Sequence, residues 1–379
     1  MTSENKSHDG QAVRARRGSR FRRAAVAAGL AAGVALLCAA VPASAATRPA
    51  PATTPASSAT GHATASAGGS SLAARQAVAY WTRSRMLAAR NGAGITAKSV
   101  PGASAAPSGQ TGPAGRVTGT APNQALKGSS PYFAALARHG ITPDSGSLGS
   151  PWTGSLYAPP ATTTGKVFFS THNGENWQCS ASTVNSNGKD AVITAGHCVF
   201  GSLGGEVPGE GWHTNWVFVP DYDNGYAPYG VWTARSLWVP TAYYDNQDEG
   251  DDIGGAVINT NSFGQHVVNV VGGQGFAWNW PSTESVYDFG YPAAAPFNGL
   301  TLQYCNGSEF NWPYVSDTTG LLCNFTGGSS GGPWLMSFGG EFGYIDGVND
   351  FGYSSLPQYI FSAYFGNNAD SLYNAIANL

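Results

Sequence analysis

Charge is what this sequence has least of. Only 11% of its 379 residues are Asp, Glu, Lys or Arg, too few for a coiled coil or a charged helical repeat. Cations all but vanish after residue 150. Lys166, Lys189 and Arg235 stand there against 19 acids, a formal charge of −16. A surface of that sign repels phosphate backbones and anionic lipid, so nucleic acid and membrane are excluded as partners of the mature form. No Cys-x-x-Cys or His-x3-His spacing occurs, which removes zinc. Asp221, Asp223 and Asn224 lack the full ligand set of a calcium loop. After residue 45 no apolar run is long enough to cross a bilayer. No histidine follows His266.

The first 150 residues carry the opposite sign, with 16 of the 19 cations and only Glu4, Asp9 and Asp144 as acids. Residues 1–45 read as a signal peptide. Arg14, Arg16, Arg17, Arg20, Arg22 and Arg23 form the basic start, Ala24 to Val41 the apolar core, and Ala43-Ser44-Ala45 the small-x-small cleavage site. The product is expected to be secreted and extracellular. Residues 46–150 read as a propeptide or linker. The stretches 46–70 and 101–129 are mostly Ala, Thr, Ser, Pro and Gly, a composition that cannot offset the entropy of ordering. Between them, 72–90 places Leu72, Val78, Tyr80, Trp81, Met86 and Leu87 among four arginines and reads as one short basic amphipathic helix. Residues 131–138 read as another short helix. Nine cations and one acid give 46–150 a formal charge of +8, so the chain's own propeptide is an expected partner of the acidic part.

Export makes the cysteines legible. Of five, Cys38 leaves with the signal. The remaining four, Cys179, Cys198, Cys305 and Cys323, make two disulfides in an oxidising compartment. Three pairings are open. The sequential one, Cys179–Cys198 and Cys305–Cys323, closes two hairpin-sized loops, each worth about 3 kcal/mol, and is the one expected.

From residue 151 to 379 the texture is β. Runs rich in Val, Ile, Phe, Tyr, Trp and Thr recur between Gly, Asn, Asp and Pro. Strands are expected at 166–172, 180–185, 191–195, 216–219, 235–239 and 256–258. After a Gly-rich break at 272–275 a second set follows at 286–291, 300–305, 321–325, 333–338, 343–348 and 359–365. Two groups of about six strands without helices between them make two barrels or a sandwich. A terminal helix closes the chain, with Asn368 as its cap and Leu372, Tyr373, Ile376 and Leu379 as its apolar face.

Three stretches carry chemistry. Thr194-Ala195-Gly196-His197-Cys198 ends an aliphatic run and sets a histidine beside a disulfide. Asp248-Glu249-Gly250-Asp251-Asp252 abuts the start of another aliphatic run. Asp252 at that boundary suits the support of an imidazole, with Asp251 as its competitor, because alternation lets only one face the site. Gly327-Gly328-Ser329-Ser330-Gly331-Gly332-Pro333 projects a serine from a sharp turn and can aim successive N–H groups at one spot. The stretch also fits the G-x-S-x-G elbow of α/β-hydrolases, but that mechanism needs a histidine after the serine, and none exists.

Taken together, the three stretches resemble the histidine, aspartate and serine boxes of the chymotrypsin-like serine peptidases, over roughly residues 160–379. Asp288-Phe289-Gly290-Tyr291-Pro292 is similar to the Gly-Tyr-Pro turn of the bacterial secreted glutamyl-endopeptidase-like branch. The resemblance implies an all-β fold of two six-stranded antiparallel barrels with a C-terminal helix. It implies a serine endopeptidase with His197, Asp252 and Ser330 as catalytic residues and the backbone N–H groups of Gly328 and Ser330 as the oxyanion hole. Asn324, Phe325 and Thr326 would form one wall of the substrate pocket, and Asn349, Asp350 and Gly352 the other. Protein or peptide substrates, no metal or organic cofactor, and a monomer follow. Two departures matter. Ser329 stands where animal relatives carry the aspartate of their activation switch. Asn349 stands where glutamyl endopeptidases carry a histidine, so strict preference for Glu is not implied. The competing reading is a catalytically silent protein of the same fold that binds peptides or cell-surface material.

Overall fold

The computed structural model describes residues 61–67, 71–91, 112–123, 147–201 and 211–379. The signal peptide and the helix expected at 131–138 lie outside the described residues. All twelve strands expected after residue 151 are present, with ends moved by a few residues.

Six of them close into an antiparallel barrel. Around it run Thr164–Ser170, Asn176–Thr183, Ala191–Thr194, Gly254–Ile258, Trp232–Pro240 and Thr214–Pro220, the last pairing back onto the first. Its strands contribute fully buried Phe168, Val192, Ile193, Val217, Leu237 and Val257, among others, to one apolar core. Burial on this scale is the main force holding the barrel, at roughly 25 cal/mol per Å² of apolar surface.

Where a second six-stranded barrel is expected, the chain builds a seven-stranded sheet and a separate three-stranded one. The seven-stranded sheet includes Gly275–Trp278, which lies in and just after the expected Gly-rich break. That strand pairs parallel with Tyr344–Val348, an arrangement no local pattern announces. The three-stranded sheet holds Phe310–Asn311, Thr318–Leu322 and Tyr359–Ala363. A second core around Val286, Leu321, Phe325, Trp334 and Ile360 encloses the Cys305–Cys323 disulfide. The other disulfide joins Cys179 to Cys198, so both bonds follow the sequential pairing.

The segment before residue 151 differs most from expectation. The single helix expected over 72–90 is two, Ser71–Tyr80 and Arg83–Ala88, and Thr82 caps the second by accepting from Arg85 N–H. The break seats Trp81 in the barrel core, where its indole N–H donates to Asn215 O at 2.6 Å. Within stretches read as carrying no structure, His62–Ser66 pairs with Trp232–Pro240 and Gly115–Val117 pairs with Gly275–Trp278. Hydrogen bonding to sheet edges supplies there what the composition lacks.

The terminal helix spans Asn367–Ala377, with Leu372, Tyr373 and Ile376 buried. Gly366 rather than Asn368 stands at its cap, because the Asn368 side chain is taken by Asp251, at 2.5 Å.

Candidate active site

Local pairing brings the histidine and the acid together. Gly254 pairs with Thr194, so the chain just after Thr194 and the chain just before Gly254 leave the same end of two bonded strands. His197 follows in the short turn Gly196–Cys198, and Asp252 ends the turn Glu249–Asp251. The Asp252 carboxylate accepts twice from one residue: from His197 Nδ1–H at 2.8 Å and from the His197 backbone N–H at 2.8 Å. Gly196 makes this approach possible, since a Cβ there would stand 2.8 Å from Asp252 Oδ1. Burial alone would raise the Asp252 carboxyl. The His197 charge, then the hydrogen bonds from the His197 ring and backbone, outweigh it and hold Asp252 below the ordinary carboxylate range. Asp251, the competitor, is bonded to Asn368 instead.

The His197 turn is itself braced. His213 Nε2 donates to His197 O at 3.0 Å and Trp216 Nε1 to Cys198 O at 3.0 Å. The His213 ring stacks on Phe169 with centroids 4.2 Å apart. Burial depresses its pKa to about 3, so it is neutral and can serve as a fixed donor. Nothing in the sequence marked His213, because its contact with the turn depends on how distant strands pack.

Ser330 comes from the other half and is 1% exposed, and among the described residues its Oγ has no hydrogen-bond partner. Ser180, in the barrel, holds the loop around it. Ser180 N–H donates to Ser330 O at 2.7 Å, and its hydroxyl donates to Gly328 O while accepting from Tyr291 N–H. Two further bonds aim the loop's amides. Ala293 N–H donates to Gly327 O and Gly332 N–H to Ser329 O. In a trans peptide N–H and C=O point opposite ways. The N–H groups of Gly328 and Ser330 therefore point away from those anchors, and among the described residues they donate to nothing. Gly331, with φ +80°, lies directly against the histidine strand: a Cβ there would stand 2.0 Å from Thr194 Oγ1 and 2.8 Å from Ala195 N.

The expected pocket residues divide. Phe325 is buried against Phe297, the Thr326 hydroxyl bridges Ala294 N–H and O, and Asn324 Oδ1 accepts from Gly149 N–H. Gly352 is buried. The Asn349 side chain accepts from Trp334 Nε1–H and donates to Asp288 Oδ1, while its backbone N–H donates to Gly332 O and its C=O accepts from Gly331 N–H. Burial raises Asp288 well above the carboxylate range, against the Asn349 hydrogen bond. The Asp350 carboxylate is buried and lies 3.7 Å from His197 Nδ1. His197, Asp252 and Asp350 stand within 4.8 Å of one another, close enough for an ion. Nδ1 and Oδ2 are, however, already committed to each other, which is acid–base geometry.

A closed β-barrel facing a second β-unit, with an acid-supported histidine on one side and a glycine-flanked serine on the other, has counterparts among solved proteases. The chain is similar to a protease, Anisep, from Arthrobacter nicotinovorans, with 40% identity, 61% of this chain and 100% of that one covered, and a TM-score of 0.55. It is likewise similar to AL20, a thermostable serine protease from an extremophilic microorganism, with 41% identity, 57% and 97% covered, and a TM-score of 0.52. A Glu endopeptidase matches at 16% identity over 62% of this chain and 98% of that one with a TM-score of 0.48, a distance at which residue preference does not carry over. No family model and no curated protein matches. The chain belongs to the bacterial chymotrypsin-like serine proteases.

Proposed function

We propose that the protein is a secreted serine endopeptidase, made as a preproprotein, that works through His197, Asp252 and Ser330. Ser330 Oγ attacks the scissile carbonyl carbon while His197 Nε2 takes its proton. Asp252 keeps the ring in the tautomer with Nδ1 protonated and stabilises the imidazolium that forms. The oxygen that gains charge is received by the N–H groups of Gly328 and Ser330. The C–N bond then breaks as His197 gives its proton to the leaving amine, leaving an ester on Ser330. Water, deprotonated by the same ring, releases the acid and restores Ser330. Every proton in the cycle passes through His197, so the cycle needs no cofactor.

The observation that supports this most is the double acceptance by Asp252 from His197, which gives the ring one orientation and one tautomer. In this reading residues 1–45 are the signal, 46–150 the propeptide and 151–379 the peptidase domain. The two relatives cover 61% and 57% of the chain, close to the share that 151–379 makes up. The signal and the two disulfides fit an extracellular enzyme, acting as a monomer on protein or peptide substrates. Ser330→Ala is expected to abolish both hydrolysis of denatured protein and covalent labelling by a fluorophosphonate. A wild-type chain that neither labels nor cleaves would sink the reading.

A further inference from the structure

Lys166 is one of the few cations after residue 150, and the fold hides it. It lies in the barrel strand Thr164–Ser170 and is 2% exposed. Its Nζ donates to Gly299 O at 2.8 Å. Three rings surround the rest of the ammonium, with centroids 4.7 Å away for Tyr222, 5.4 Å for Phe168 and 6.0 Å for Tyr291. The titratable groups against it are thus two phenols. Asp221 and Asp223 act on Tyr291, and burial pushes Asp221 up to about 8. Burial alone lowers the Lys166 pKa, to about 7. A cation taken from water without a carboxylate costs stability that an apolar side chain of the same length would not.

The carbonyl that Lys166 holds belongs to the half of the molecule that carries Ser330. Gly299 N–H donates to Pro292 O, so residues 292–299 form a closed loop. That loop grips the chain before Ser330 at two points. Ala293 N–H donates to Gly327 O, and Ala294 exchanges two hydrogen bonds with the Thr326 hydroxyl. Gly327 O and Gly328 N–H belong to one peptide, so fixing the carbonyl aims the amide. We propose that Lys166 is a positioning residue that clamps the 292–299 loop from the barrel and, through Ala293, fixes the Gly328 amide that receives the oxyanion. This rests on the triad reading given above.

The clamp works in either protonation state. An ammonium offers three N–H groups and an amine two, while Gly299 O needs one. Gly299, with φ +68°, also keeps the approach open, since a Cβ there would stand 3.2 Å from Lys166 Nζ.

Lys166→Met fills the same space without a donor. Made in the full secreted chain, it should lower kcat about tenfold with KM held within about threefold. A peptide aldehyde forms a hemiacetal with Ser330 and sets an oxygen against the Gly328 and Ser330 amides. Its affinity should fall about tenfold in Lys166→Met, while the matching peptide alcohol, which forms no adduct, should bind within about twofold of wild type. Lys166→Gln keeps a donor on a shorter stem. It should lose about threefold with the aldehyde and nothing with the alcohol, which tests the role even where the Met variant does not fold. The proposal is overturned by a kcat in Lys166→Met within about twofold of wild type, by equal losses for aldehyde and alcohol, or by wild-type affinity for the aldehyde in Lys166→Gln. Melting gives a readout without turnover. Lysine titrates near 10.5 in the unfolded chain and near 7 in the folded one, so between those values the unfolded chain binds a proton that the folded chain has released. The wild-type melting temperature should therefore rise with pH across that window relative to Lys166→Gln, and parallel curves would overturn the buried mount on which the clamp depends. A wild-type chain that neither cleaves nor prefers the aldehyde would overturn the triad reading and with it this role, while the melting curves still report on Lys166.

Discussion

The hydroxyl of Ser180 donates to the carbonyl of Gly328 at 2.9 Å, so a barrel strand holds the loop that presents Ser330. The same oxygen accepts from Tyr291 N–H. Ser180→Ala leaves two buried backbone groups unsatisfied, at a cost of about 1–3 kcal/mol. It should also loosen the Gly328 amide and lower kcat about tenfold, less than the loss of a whole oxyanion donor. Urea unfolding and steady-state kinetics on one preparation would measure both. An unchanged kcat would mean the loop needs no such support.

Asp251 and Asp252 are adjacent acids with separate partners. Asp252→Asn is expected to lower kcat by about three to four orders of magnitude, because the amide imposes the wrong ring tautomer. Asp251→Asn, which alters a contact to Asn368, should cost less than about threefold in kcat. Side-by-side progress curves on one peptide would decide. Comparable losses in both would remove Asp252 from its proposed role.

The sequence carried the chemistry better than its support. The Thr194–Cys198 and Gly327–Pro333 stretches were legible because each is local, a few residues whose turn geometry follows from their own glycines. The boundary with the aliphatic run favoured Asp252 for the acid, and alternation left Asp251 as its one competitor. Ser180 and His213 act through bonds that exist only once distant strands pair, so no window of sequence contains their signal. The surroundings of Asn349 and Asp350, with the Asp288–Asn349–Trp334 chain beside one and the imidazole near the other, likewise join segments far apart in the chain. The second half was read as strands correctly, but the parallel pairing of Gly275 with Tyr344 joins segments far apart in the chain.

His213 makes a pH prediction with a definite sign. It is buried and its folded pKa is depressed to about 3, against an ordinary value of 6.5. Between those values the unfolded chain binds a proton that the folded chain refuses. Stability should therefore fall as pH drops from about 6.5 towards 3, by up to about 1.4 kcal/mol per unit from this group. His213→Gln keeps a donor for His197 O and removes the titration. Its melting temperature should depend less on pH in that window than that of wild type, with convergence of the two above pH 7 apart from a constant offset. Parallel curves throughout the window would contradict the assignment.

Trp81 is the buried anchor of the segment proposed as the propeptide. Arg83 and Arg90 beside it are also engaged, by Asn224 O and Glu175. Removing the indole costs about 3–5 kcal/mol of local packing. In an inactive Ser330→Ala background, Trp81→Ala should speed tryptic cleavage at Arg83, Arg85 and Arg90 by about tenfold or more, since cleavage follows local opening. Mass spectrometry of the fragments would time it. Equal rates would show that the strand His62–Ser66 and the surrounding bonds hold the segment without Trp81.

Gly331 has a bearing on how this family can be engineered. There is no room for even a methyl group, because the backbone at Gly331 rests against the Thr194 hydroxyl and the main chain of Ser180 and Ala195. The spacing at Gly331 is thus set by the main chain at Ser180 and Ala195 together with the Thr194 hydroxyl, and trimming Thr194 alone would not make room. Libraries that randomise the surroundings of Ser330 in search of new substrates should return glycine at this one position, whatever they accept at the rest.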